Sequence, residues 1–256
     1  MKDKQSRSHR SAVLWRVLFT IAVLCGLQAP PALAAAIYLG RSTAELTITE
    51  ITGGNTVGTA CSVCTAGDAF FVGNASASST GFANVNAAGG DPTNLAVGDG
   101  LSLKAEASGS ASAIGSADSF FNAVASVALT NSGQSTITVT FRLVWSLFAD
   151  ASIDAPVIED ALAFADIIVE IGSSPDLLVE EEVISDALFG PFGPQSLSDD
   201  LTFTLTLAPN GSDFVDIALF AEGFADALAA IPEPGIVPLF ALGLAGLGFF
   251  VRRRRA

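Results

Sequence analysis

The chain is short of the side chains that most enzymes use to move protons at neutral pH. Its only histidine is His9 and its only methionine is Met1, so nothing from residue 35 to residue 230 can titrate as an imidazole. That excludes a Ser-His-Asp or Cys-His relay and any histidine-based zinc site in this stretch. Cations are equally scarce. Five of the twelve basic residues crowd the N-terminus and four close the C-terminus, leaving Arg41, Lys104 and Arg142 between them. Against these stand twenty-four carboxylates, a balance of −21 for the central body within a chain of formal charge −14. Such a body repels phosphate backbones and anionic lipid surfaces, which excludes nucleic acid as a partner and favours divalent cations.

What is present at the two ends reads as addressing. Lys2, Lys4, Arg7, Arg10 and Arg16 precede the apolar run Val17 to Leu27, and Pro30-Pro31-Ala32-Leu33-Ala34 follows. Charge, apolar core and small residues in that order make a secretory signal peptide over residues 1–34, with Ala32 and Ala34 bracketing the cleavage site. An uncleaved anchor needs a longer span than this run. A lipoprotein reading through Cys25 is disfavoured by the bulk of Leu24 before it.

The C-terminal segment, residues 231–256, has three parts in sequence. Pro232-Glu233-Pro234 stands first, extended and short of backbone donors. Ile236 to Val251 then supplies an apolar run that, as a helix, rises about 24 Å at about 1.5 Å per residue, somewhat less than a hydrocarbon core of about 30 Å. Arg252, Arg253, Arg254 and Arg255 end it and mark the cytoplasmic side. On physical grounds alone this is either a single-span anchor with a proline stalk or the substrate of a processing enzyme. The three parts together resemble the PEP-CTERM sorting signal of Gram-negative bacteria. That resemblance implies recognition and cutting near the Pro-Glu-Pro box by an exosortase, a transient stay in the inner membrane, and delivery of the body to the cell surface or an extracellular matrix, in bacteria that tend to make exopolysaccharide.

The body, residues 35–230, fits one domain. Ile137, Val139, Phe141, Leu143 and Trp145 alternate with Thr136, Thr138, Thr140, Arg142 and Val144, the period of a strand with one buried face. Asn131-Ser132-Gly133-Gln134 supplies a turn, and Phe121 to Thr130 is expected to pair with the strand beyond it as a hairpin. Leu201, Phe203, Leu205 and Leu207 alternate with threonines before the turn at Pro209-Asn210-Gly211-Ser212. Ala44 to Ile51, Leu101 to Ala107 and Val215 to Phe220 are further strands. Ala161 to Ile171 fits a helix or a strand, with the strand preferred. From Gly73 to Ala117 the chain is mostly Ala, Ser, Gly and Asn, and short strands joined by loops are expected. The fold class is therefore all-β, an antiparallel β-sandwich of Ig-like or jelly-roll-like kind, flanked by the signal peptide and a transmembrane sorting helix.

Chemistry in the body rests on few candidates. Cys61 and Cys64, spaced as a Cys-x-x-Cys pair in an oxidising compartment, are expected to form a local disulfide, the zinc and redox readings lacking further ligands and an α/β setting. Asp91, Asn94 and Asp99 are loose Ca²⁺ candidates without EF-hand spacing. Glu180-Glu181-Glu182, Asp199-Asp200 and Glu159-Asp160 are, by charge alone, the candidates for a glycosidase pair of carboxylates. Trp145, on the inward phase of its strand, belongs to the core rather than to a sugar site. No catalytic residue and no cofactor beyond Ca²⁺ is expected. The function anticipated is that of an exported, processed surface or matrix protein with a structural or adhesive role in exopolysaccharide or biofilm; the alternative is a carboxylate-based polysaccharide hydrolase or carbohydrate-binding protein.

Overall fold

The structure, a computed structural model, describes residues 35–54, 57–87, 93–154, 158–174 and 177–228. The signal and sorting segments, with Ala32, Ala34, Pro232, Glu233, Pro234 and Arg252 to Arg255, lie outside these residues, as does Asp91. The described elements are all strands: β1 (Ala35–Thr52), β2 (Val57–Asn86), β3 (Asn94–Leu95), β4 (Gly100–Thr130), β5 (Ile137–Ile153), β6 (Glu159–Ile171), β7 (Val179–Asp186), β8 (Gln195–Leu207) and β9 (Ser212–Ala227). They form one antiparallel sheet in the order β7-β6-β9-β4-β1-β5-β8, with β2 along the other edge of β4 and β3 on the start of β2.

One long hairpin gives this sheet its shape. The first part of β4, Gly100 to Ser112, pairs with β1, and the second part, Gly115 to Thr130, pairs with β9. Between them Ala113 takes a left-handed backbone conformation, and the register of β2 slips between Gly73 and Ala75. Bulges of this kind bend a strand, so both arms of the hairpin turn a corner and pass from one layer to the other. One layer is β8-β5-β1 with the first part of β4; the other is β7-β6-β9 with the second. They pack face to face, β1 against β6 and β9, β5 against β6 and β7. The all-β, antiparallel expectation holds. In place of two separate sheets, a single sheet folds over and nearly closes.

Alternation decides which side of each strand is buried. Ile137, Val139, Phe141, Leu143, Trp145 and Leu147 are all at most 7% exposed, while Arg142, Val144 and Ser146 between them face solvent. β6 settles its ambiguity in the same way, with Ala161, Ala163, Ala165, Ile167 and Val169 buried at 0%. A two-residue period leaves no room for a helix there.

The core is a wedge. Away from the corner it is filled by Leu46, Ile48, Leu129, Phe141, Ile167 and Ile217. Near the corner a second cluster consists of alanines around Tyr38, among them Ala36, Ala111, Ala149, Ala163 and Ala225. Facing sheets ordinarily stand about 10 Å apart, but at this end the backbones nearly touch. A Cβ on Gly40 of β1 would lie 2.3 Å from the Phe164 carbonyl oxygen of β6, and one on Gly223 of β9 would lie 2.3 Å from the Tyr38 ring. The Ser42 hydroxyl donates across the gap to the Phe220 carbonyl, and the buried Tyr38 and Ser119 hydroxyls share a hydrogen bond of 2.8 Å. Small residues are thus what permits the fold-over.

Two expectations need correction. The stretch from Gly73 to Ala117 is not a set of short strands: apart from β3 and the turn that follows it, most of its described residues lie in the 30-residue β2 and the 31-residue β4. Nor do Phe121–Thr130 and β5 make a hairpin, because β4 pairs there with β2 and β9 while β5 pairs with β1 and β8. The turn crosses between layers instead. Asn131 holds it in place: its fully buried amide donates to the carbonyls of Ser135, Leu207 and Ala208 at 2.8–3.0 Å, its side-chain oxygen accepts from the Gly133 amide at 2.9 Å, and its own N–H donates to the Gly211 carbonyl. One side chain so pins the β4–β5 crossing to the β8–β9 crossing.

Candidate functional site

Charge is divided between the layers. Arg41, Lys104 and Arg142 all sit on the layer built from β1, β5 and the start of β4. Arg41 Nε and Lys104 Nζ both reach Glu106 Oε2, at 2.8 and 2.9 Å, and the Lys104 hydrogen bond, ahead of the Arg41 pairing, holds the Glu106 carboxyl below its ordinary range. Arg142 pairs with Asp200 through Nε at 2.9 Å and through its terminal nitrogen. The opposite layer contains no cation among the described residues. Its outer face carries carboxylates on three adjacent strands, including Asp160, Asp166, Glu182, Asp216, Glu222 and Asp226.

Asp166 is the centre of that face. It stands directly opposite Glu182 on β7 and Phe220 on β9. Burial, then the neighbouring Glu182, then Glu180, push its carboxyl up to about 6, against a backbone hydrogen bond from Phe220 that works the other way. Asp160 is raised as well, by burial first and then by Asp186 and Asp226. Sequence reasoning passed over Asp166 because a single acidic residue in an alternating strand looks like an ordinary solvent-facing position. Only the register beside Glu182 reveals the crowding.

The three carboxylate pairs singled out in the sequence fare differently. Glu180 and Glu182 share the outer face with Asp166, while Glu181, between them, points to the other side of β7. Asp199 and Asp200 lie opposite Trp145 and Val144, and Asp200 is tied to Arg142. Glu159 is buried and accepts the Asp154 N–H at 2.7 Å, closing the β5–β6 connection, whereas Asp160 faces out. Alternation separates each adjacent pair onto opposite sides of its strand.

The remaining candidates are structural in position. Cys61 and Cys64 are not bonded to one another. They lie three residues apart on β2, hence on opposite sides of the strand and about 10 Å apart along it, too far for a disulfide. The expected pairing is therefore corrected: it presumed a loop where the chain is a strand. Asp99 is 5% exposed and accepts the Ala96 N–H at 3.0 Å within its own turn, while Asn94, on β3, pairs with Gly58 of β2. Among the described residues no group of three His, Cys, Asp or Glu side chains is placed to hold a metal ion. Trp145 is in the core, as its phase requires, with its indole N–H lacking an acceptor.

The decisive likeness lies beyond β9. Residues 230–255 match the family model of the PEP-CTERM protein-sorting motif. The chain carries a PEP-CTERM sorting signal. A PEP-CTERM motif implies export, passage through the membrane and processing by an exosortase. No curated protein matches the chain. Among solved structures, a chain titled "Binjari virus (BinJV)" is 9% identical over 71% of this chain and 50% of that one, with a TM-score of 0.09, a likeness that carries no argument. The PEP-CTERM match begins two residues after Leu228, whose N–H donates to the Ile158 carbonyl at 2.8 Å, so the last backbone tie of the described body stands immediately before the sorting signal.

Proposed function

We propose that the body is a non-catalytic structural or adhesive component of an extracellular polysaccharide matrix, cut from its C-terminal anchor by an exosortase and left at the cell surface or in the matrix. The PEP-CTERM motif at residues 230–255 carries this reading. Two features of the body support it. The described part lacks histidine, and its adjacent acidic pairs are split between opposite sides of their strands rather than gathered at one point. The acidic layer gives the exported body a single-sign face, suited to solubility and to bridging through divalent cations. Four residues separate Ala227, the end of β9, from Pro232, so the box recognised by the enzyme follows the folded body without a spacer domain. The test is mass spectrometry of the mature protein from normal cells and from cells lacking the exosortase. A C-terminus near the Pro-Glu-Pro box in the first, and the intact arginine end in the second, is the expected pair of results. The arginine end retained in normal cells defeats the reading.

A second reading, carboxylate-based glycan hydrolysis, is favoured by one observation: Asp166, raised to about 6, stands opposite Glu182, an asymmetry suited to a general acid and its partner. Its test is release of reducing sugar from the host's own exopolysaccharide by the wild-type protein and by Asp166→Asn. Release abolished by the substitution supports it, and no release by the wild type ends it.

A further inference from the structure

The edges of this sheet are unequal. β7 carries Glu180, Glu181 and Glu182 along its exposed length, and β8 carries Asp199 and Asp200. Charged residues on edge strands are a common defence against pairing with another chain. β2 has no such defence. In its thirty residues Asp68 is the only charge and there is no proline. Its inner edge pairs with β4 along the whole length, and from Ser62 onward no strand lies beside its outer edge among the described residues. This naked edge also carries large apolar side chains: Phe70, Phe71 and Val72 are 63%, 56% and 54% exposed, and Val63 is 45% exposed. Phe120 of β4, opposite Asp68 and diagonal to Phe70 on the outer face, adds to the patch at 43%.

We propose that the outer edge of β2 over Ser62–Val72 pairs antiparallel with the same edge of a second copy of this chain, joining the two sheets about a two-fold axis. Charge selects this partner. Against β7 or β8 of another copy the edge would meet rows of carboxylates, whereas against itself it brings one aspartate per chain to an otherwise neutral seam. The area is sufficient. Eleven residues extend about 36 Å at ~3.3 Å each, and across two layers spaced about 10 Å the side of the body offers on the order of 700–800 Å² per copy, the size of a stable interface. A two-fold operator uses the same patch twice and closes, so the product is a dimer and not a fibre.

The experiment is sedimentation equilibrium of the full chain in a non-denaturing detergent, with hydrogen exchange read at residues 62–72. The wild type is expected to sediment at twice the mass of one chain, with these amides slowing in exchange as concentration rises. Phe70→Glu/Phe71→Glu is expected to weaken association about 50-fold or more, through lost apolar burial and like charges across the axis. Thr204→Glu/Thr206→Glu on β8 adds the same charge elsewhere and leaves the dimer intact. A wild type that stays monomeric to about 100 μM overturns the proposal. So does a dimer that survives the β2 substitutions, which would place the contact in the sorting segment, and so does a monomer co-purifying with glycan or another protein on this edge. Should the double variant fail to fold, the concentration dependence of exchange at residues 62–72 in the wild type decides alone.

Discussion

Asp166→Asn should make this protein more stable, and only above a certain pH. The carboxyl of Asp166 has an ordinary value of 3.8 and is pushed up to about 6 in the fold. The folded state therefore holds this proton more tightly than the unfolded chain does. The stability that Asp166 contributes is complete below 3.8 and is lost as pH rises through about 6. A shift of two units is worth at most about 3 kcal/mol at 1.36 per unit; because the group is only half-buried and Glu180, Glu182 and Glu222 around it are solvated, screening leaves about 1 kcal/mol. The amide has nearly the same shape, keeps an oxygen for the Phe220 N–H and presents donors to Glu182. Thermal unfolding followed by circular dichroism should show the variant melting about 2–4 °C above the wild type at pH 7.5. At pH 4 the gap should shrink to a small fraction of this, because the folded wild type is then neutral at this position. An equal gain at both pH values would mean that the amide helps by packing rather than by relieving charge, and a loss at pH 7.5 would refute the crowding of carboxylates on this face.

Other substitutions probe the packing. Asn131→Ala removes the buried amide donor that the carbonyls of Ser135, Leu207 and Ala208 share and should cost about 1–3 kcal/mol, seen as a shift in the denaturant midpoint. Gly223→Ala drives a methyl into the Tyr38 ring, 2.3 Å away, and should destabilise by about 1–3 kcal/mol; an unchanged melting temperature would show that the layers separate easily at the corner. Trp145, 5% exposed and the only tryptophan of the body, should emit at short wavelength in the signal-cleaved protein and resist acrylamide quenching, with no response to added polysaccharide.

Much of the sheet could be read from the chain, and the failures share a cause. Alternation of large apolar and polar residues located β5 and β8 because each buried position there contributes a strong signal. β4 could be read from Leu101 to Ala107, but beyond that, where Ala111 and Ala117 are the buried positions, alanine against serine and glycine gives too little contrast to separate strand from loop. The small residues that hid the strands are the ones that let the layers close at the corner. Turn chemistry was read correctly at Asn131 and Pro209, yet a turn states only that the chain reverses. Whether the next strand lies beside the last or across from it depends on partners far away in sequence, here β1 and β9. Cys61 and Cys64 were misjudged for the same reason, since their spacing acquires meaning only once the local period is known. At the candidate site, the acidic excess was plain from composition, but its concentration on one layer depends on register.

The place of β9 has a mechanical consequence. It is flanked along its length by β4 and β6, and its last residue, Ala227, pairs with Gly115 beside the corner, near the pole where Ala35 begins the body opposite Ser112. Tension applied at Leu228 and resisted at the far pole runs parallel to the strand. It loads the hydrogen bonds on both flanks of β9 together instead of peeling them one at a time. A body held by its sorting end while its opposite pole is caught in a matrix would resist extraction in shear, the stiffer of the two ways to pull a strand.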